Sequence, residues 1–231
     1  MKRFIMLLLL LSTLMTPYWE KTIASPEGTY LRDTAFFHSL QLNSSRPIGE
    51  MVILPSGEYS IREAASMISN LDHVPSSLLE KAADIGIKVI LFNGELTSQP
   101  ALAHLKGKVP RGYINKETTW DDVPGAGGTK NVYAKIGHSD KGQGHGSINL
   151  ELHELAHSLD RYVYTDPYQN LAFTAIWKEE ANKLFPGQPY FLDYQEEYFA
   201  ETFAMMYLNE NTRSILRQRA PKTYKYFASL N

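Results

Sequence analysis

The chain has 231 residues, 43% apolar and 21% charged, the composition of an ordinary globular protein long enough for one domain with a real core. Its formal net charge of −2 supplies no basic field to hold nucleic acid or an anionic membrane surface. It has no cysteine, which removes disulfides, thiolate metal ligands and a cysteine nucleophile together, so any metal would be held by histidine and carboxylate.

Lys2 and Arg3 precede an apolar run from Phe4 to Met15. A bilayer span needs about 20 apolar residues, so the run is too short for stable membrane insertion and fits a secretory signal peptide. We place that signal over 1–24, ending in the small-residue stretch Thr22-Ile23-Ala24, and expect a secreted, extracellular protein. Residues 25–49 are polar and lack periodicity, which reads as a linker or N-terminal extension. The remainder, 50–231, reads as one domain. Met51-Val52-Ile53-Leu54 is a strand stopped by Pro55 and Gly57. Ser60 and Glu63 form a capping box, followed by Ile61, Ala64, Ile68 and Leu71 at helical spacing. A second helix is predicted over 77–85, closed by Gly86, and a strand over 87–92. Val132, Ala134 and Ile136 alternate as in a half-buried strand. The Gly- and Pro-rich stretches 110–113 and 123–128 read as loops. Beyond Gly146, helices are predicted over 147–163, 167–184, 195–209, 211–219 and 223–229. The fold class is α+β, with a mixed first half, a mainly helical second half and a cleft between them.

The chemistry concentrates in His153-Glu154-Leu155-Ala156-His157. Residues four apart share a helix face, so His153 and His157 can hold one cation. Glu154 sits about 100° around the helix, where it serves a water rather than the metal, which is the mechanical content of the H-E-x-x-H pattern. Ile148, Leu152, Leu155, Leu159 and Val163 form a separate apolar stripe. A catalytic zinc needs a third protein ligand and an open position. Position 163 is Val163, so a third histidine six residues beyond His157 is excluded. Glu197 and Glu201, again four apart, supply the better candidates. Spacing leaves open which one binds metal and which orients a histidine.

Three stretches carry a resemblance that extends over nearly the whole mature chain: Thr119-Trp120-Asp121-Asp122-Val123-Pro124-Gly125, Ile148-Asn149-Leu150-Glu151-Leu152-His153-Glu154, and Glu196-Glu197-Tyr198-Phe199-Ala200-Glu201. With them the sequence resembles the bacterial Pro-Pro endopeptidases, whose catalytic-domain fold is shared with anthrax lethal factor. The resemblance implies a zincin-type metallopeptidase domain with one zinc ion per chain. It implies His153, His157 and Glu197 as ligands, Glu154 as general base, Tyr190 as support for the oxyanion, and Glu201 behind the zinc site. The family cleaves between two prolines in proline-rich segments of bacterial surface proteins, so the implied partner is a proline-rich protein or peptide, such as a cell-surface adhesion protein. We expect a monomer.

A Lys-Gly-Trp element of the family's substrate cleft is replaced here by Arg111-Gly112-Tyr113. Arg111 would pair with Glu196, and Tyr113 would keep an aromatic face for proline rings. His145, in a Gly-rich loop before the active-site helix, is a further cleft-lining candidate, and Trp120 is read as a core residue before a substrate contact. The other histidines, His38, His73, His104 and His138, have no partner at ligand spacing and read as surface. Two alternatives remain: a zinc endopeptidase without Pro-Pro preference, and a zinc-stabilised surface-binding module that has lost catalysis.

Overall fold

The computed structural model describes residues 27–111 and 117–230. The signal-peptide residues 1–24 and Tyr113 therefore lie outside the described residues. A five-stranded sheet organises the first half. Its strands are β1 (Thr29–Tyr30), β2 (Val52–Leu54), β3 (Lys88–Phe92), β4 (Gly125–Ala126) and β5 (Asn131–Lys135). They lie in the order β1-β2-β3-β5-β4, with β2, β3 and β5 parallel and the two edge strands antiparallel.

The strand side chains alternate between two cores. Val52, Leu54, Val89, Leu91, Val132 and Ala134 enter the main core with the helices. Ile53, Ile90, Phe92 and Tyr133 face a smaller cluster with Leu96, Val123 and part of Trp120. β5 is thus buried on both faces rather than half-buried, as parallel strands usually are. Trp120 packs against this second cluster and also lines the cleft.

Residues 27–49, read from sequence as a linker or extension, belong to the folded body. Leu31 is fully buried, β1 pairs with β2, and helix α1 (Ser45–Met51) buries Ile48 and Met51. A polar, non-periodic sequence hid this because only a few side chains make the contact. The Asp72 carboxylate adds to the attachment by accepting the Asn43 and Ser44 N–H groups, both at 2.8 Å.

Helix α2 (Ile61–Leu71) starts at Ser60, whose hydroxyl accepts the Glu63 N–H at 3.3 Å. Its buried face is Ala64, Met67, Ile68 and Leu71; Ile61, expected on that face, is 59% exposed in the first turn. Helix α3 (Ser76–Asp84) is terminated by Gly86 at φ +85°, the left-handed position a glycine takes without strain.

The second half holds α4 (Leu150–Tyr162), α5 (Pro167–Leu184), α6 (Pro189–Asp193), α7 (Gln195–Leu208), α8 (Glu210–Arg219) and α9 (Pro221–Ser229). The short α6 was not foreseen. α4 begins later than predicted because Asn149 caps it, its side chain accepting the Leu152 N–H at 3.0 Å. α4 rests on β5 on one side and on α7 on the other. α7 is buried almost all round, as a central helix with apolar residues on every face should be. No helix among the described residues is long and apolar enough to cross a membrane.

Candidate metal centre and active-site cleft

Two crossing helices build the site. α4 contributes His153, Glu154 and His157, and α7 contributes Glu197 and Glu201. His153, Glu197 and Glu201 are buried, at 6%, 6% and 3% exposure, while Glu154 and His157 are half-buried at the cleft floor.

Three donor atoms converge. His153 Nε2 lies 3.2 Å from His157 Nε2 and 3.3 Å from Glu197 Oε2, and His157 Nε2 lies 3.4 Å from the same oxygen. The two imidazoles meet edge to face, at 82°. A tetrahedral zinc with bonds of about 2.0–2.1 Å spaces its ligands about 3.3 Å apart. The triangle therefore fits such an ion, and among the described residues this is the one His/Asp/Glu group of that kind.

The electrostatics agree. Burial alone would drive His153 toward its neutral form, but the Glu197 and Glu201 carboxylates reverse this and lift its pKa to about 10. Burial would likewise raise Glu197, and the His153 and His157 rings instead hold it well below the ordinary carboxylate range. The pocket keeps an anion beside two imidazoles, an arrangement in which a metal cation can replace the proton.

Glu201 sits behind His153. Its Oε2 is 3.3 Å from His153 Nδ1, and its carboxylate accepts the Ile148 N–H at 3.0 and 3.3 Å. Such a contact fixes the tautomer and aim of a ligating ring. Glu154 is held from the opposite side. Burial raises its pKa against the pull of His153 and His157, and the Gly127 backbone amide on the opposite side also favours the charged form. A carboxyl raised toward neutrality suits proton transfer. Residues 125–128 press so closely on α4 that a Cβ at Gly127 would stand 2.1 Å from the Glu154 carbonyl oxygen. Ser158 sews the same stretch down: its hydroxyl bonds the Thr129 carbonyl at 2.7 Å and accepts the Gly128 N–H at 3.1 Å.

The cleft walls come from both halves. Arg111 Nη2 is 2.5 Å from Glu196 Oε1 and 3.8 Å from Glu197 Oε1, with its guanidinium 4.6 Å above the Tyr194 ring. Tyr190, on α6, lines the cleft and is 36% exposed. His145 also lines it, yet both ring nitrogens are engaged locally, Nδ1 with Ser147 Oγ at 2.7 Å and Nε2 with the His138 carbonyl at 2.8 Å. It braces its loop rather than aiming a free nitrogen at a ligand. His38, His73 and His104 are exposed, and His138 is half-buried with Nδ1 2.6 Å from the Gln143 carbonyl. The sequence reading missed Asp160 and Arg161, both lining the cleft. Asp160 is three residues from His157 on the same helix face, so extending the i, i+3 search past the motif would have found it.

A family model described as "Anthrax toxin lethal factor, N- and C-terminal domain" matches residues 40–230, which fixes the class as a lethal-factor-like metallopeptidase fold. A Pro-Pro endopeptidase from Paenibacillus alvei is 42% identical over 183 residues, spanning 79% of this chain and 84% of that one. A Pro-Pro endopeptidase from Clostridioides difficile strain 630 is 40% identical over 184 residues, spanning 79% and 82%. The solved structure of the Paenibacillus alvei enzyme superposes with a TM-score of 0.75 at 41% identity, covering 80% of this chain and all of that one. The chain belongs to the Pro-Pro endopeptidases within this lethal-factor-like family.

Proposed function

We propose that the protein is a secreted, zinc-dependent endopeptidase that hydrolyses the bond between two prolines in proline-rich protein segments. The observation that carries this reading is the donor triangle of His153, His157 and Glu197 beside Glu154 on a cleft floor. In this reading those three residues hold the ion, and a bound zinc supplies Lewis acidity toward the scissile carbonyl and the attacking water.

The chain's own groups do the rest. Glu154, on the helix turn that Gly127 packs against, takes a proton from water as the oxygen adds to the carbonyl carbon. Tyr190 donates a hydrogen bond to the carbonyl oxygen as it gains negative charge. Glu154 then passes the proton to the proline nitrogen as the C–N bond breaks. Glu201 keeps His153 aimed throughout. The leaving nitrogen of a Pro-Pro bond is a tertiary amide with no N–H, so recognition rests on fixed backbone shape and ring surface. Tyr113, beside Arg111 in the sequence, and Tyr190 are the ring-facing candidates. The apolar N-terminal run supports export, and a proline-rich adhesion protein at the cell surface, met by a monomeric enzyme, is the partner this chemistry suits.

The test compares X-Pro-Pro-X peptides with versions carrying alanine on either side of the scissile bond, using wild type and Glu154→Gln. Wild type should cleave only the Pro-Pro series, and Glu154→Gln should retain zinc without cleaving. Comparable cleavage of the alanine peptides would leave a zinc endopeptidase without Pro-Pro preference. Zinc binding with no turnover on any peptide would leave a binding module.

A further inference from the structure

The Thr119-Trp120-Asp121-Asp122 stretch is a strong motif to which the catalytic reading gives no task. In the structure it forms a junction. The Asp121 carboxylate accepts the Thr97 hydroxyl at Oδ1, and at Oδ2 it accepts the Gly107 N–H at 2.7 Å and the Thr119 hydroxyl at 3.0 Å. Beside it the Trp120 N–H donates to the Lys108 carbonyl at 2.8 Å. Thr97 is 3% exposed and follows Leu96, whose side chain belongs to the smaller core under the sheet, where Trp120 also packs. Asp121 therefore ties three separate points of the excursion between β3 and β4 to one another, 97, 107 and 119, while Leu96 and Trp120 seat that junction on the smaller core.

Arg111 lies four residues beyond Gly107 and crosses to Glu196 and Glu197 on α7. Its side chain is 61% exposed. An exposed ion pair made by a long side chain holds a segment only weakly, since its attraction is screened and its ordering costs entropy. The Glu196 contact cannot by itself bring this part of the chain to the cleft. The backbone has to present Arg111 there: Pro110 beside it is buried, and among the described residues the nearest backbone hydrogen bonds on the N-terminal side are those of Gly107 and Lys108 at the junction.

We infer that Asp121 is a positioning residue that fixes the base of the segment delivering Arg111 to Glu196 and to the far oxygen of Glu197. The inference rests on the proposed role of Glu197 in the metal centre and of Arg111 in the cleft wall. The hydrogen bonds from Thr97 and Gly107 also hold the Asp121 carboxyl below its ordinary pKa, so it remains an acceptor into mild acid. Asp122 has a smaller part, closing its own turn by accepting the Thr119 N–H at 2.9 Å.

A double-mutant cycle tests this. kcat/KM is measured for wild type, Arg111→Ala, Asp121→Ala and the double variant, on whichever peptide the wild type cleaves, together with zinc content and melting temperature. A failure of Pro-Pro preference is thereby kept apart from a failure of this inference. Arg111→Ala is expected to lower kcat/KM by about 10- to 100-fold, the usual effect of losing an outer partner of a metal ligand. Asp121→Ala should lower it by about tenfold in the wild-type background and by less than twofold once Arg111 is gone, the coupling expected of residues acting in series. Losses that multiply undiminished in the double variant would overturn the inference. So would an Asp121→Ala defect accompanied by no Arg111→Ala defect, or the reverse. If Asp121→Ala does not fold, Thr97→Val and Asp121→Asn replace it; each removes part of the junction and should give a smaller loss, again absent without Arg111. An Asp121→Asn or Thr97→Val loss that persists at full size without Arg111 refutes the proposal equally.

Discussion

Glu201→Gln puts one side chain's two duties in conflict. One carboxylate accepts the Ile148 N–H at 3.0 Å and lies 3.3 Å from His153 Nδ1. Glutamine keeps a single acceptor oxygen. If that oxygen stays on Ile148, its NH2 group faces Nδ1 and favours the tautomer with hydrogen on Nε2. That is the atom aimed at Glu197 and His157, so the hydrogen occupies the lone pair a metal needs. If the oxygen turns to His153 instead, the Ile148 N–H is left without its acceptor, at about 1–3 kcal/mol. Zinc affinity should fall by about 10- to 100-fold, the usual cost of disturbing a ligand's orienting partner. At about 1.4 kcal/mol per tenfold that is about 1.4–2.8 kcal/mol. The two penalties match in size, so the variant has no inexpensive escape. Zinc is titrated against a competing chelator, and the chelated protein is melted. Affinity within twofold of wild type, with an unchanged melt, would refute the reasoning.

Gly127→Ala should lower the melting temperature and kcat together. Its Cβ would meet the Glu154 carbonyl oxygen at 2.1 Å, backbone that cannot rotate away, and overpacking of this kind costs about 1–3 kcal/mol or more. Asp160→Asn should stabilise the zinc-free protein at pH 7 and leave it unchanged at pH 3.5, read by melting in chelator. Burial raises the Asp160 pKa to about 6 from an ordinary value near 4, so the wild type loses stability as pH rises through that window, by about 3 kcal/mol on linkage; equal melts at pH 7 would contradict this. Tyr190→Phe should bind zinc and peptide normally while kcat falls by about 10²- to 10³-fold, and a kcat within twofold of wild type would remove Tyr190 from the mechanism.

The parts of the site that the sequence exposes are those whose geometry is local. His153 and His157 share a face because a helix repeats every 3.6 residues, and no tertiary knowledge is needed to pair them. The same holds for Glu197 and Glu201, but which one turns toward the histidines depends on how α7 crosses α4. The structure brings Glu197 to both rings and Glu201 to Nδ1 of one. Contacts between distant segments left fainter traces. The attachment of residues 27–49 runs through a two-residue strand and a carboxylate 28 positions away, neither of which has a periodic signature. The burial of Tyr133 was illegible because its partners, Leu96 and Val123, come from the non-repetitive excursion that carries Arg111. His145 lines the cleft as its glycine-rich loop beside the metal motif suggested, but the local bonds of its two nitrogens, to Ser147 and to the His138 carbonyl, leave no trace in residue spacing.

The division of labour between the halves has a consequence for specificity. The atoms proposed to hold the metal and move the proton lie on α4 and α7, packed against each other in the main core. The walls that would recognise proline rings are built on α6 and on the excursion between β3 and β4, which attaches to the other face of the sheet through the smaller core. A Pro-Pro bond offers no N–H on its leaving side, so strand-like pairing cannot supply the discrimination and the walls have to. Arg111 is where these parts meet, touching Glu196, Glu197 and the Tyr194 ring. Changes confined to the smaller core should therefore alter KM and peptide preference more than zinc affinity, which they reach only through Arg111 and Glu197. Changes along the α4–α7 contact should do the reverse.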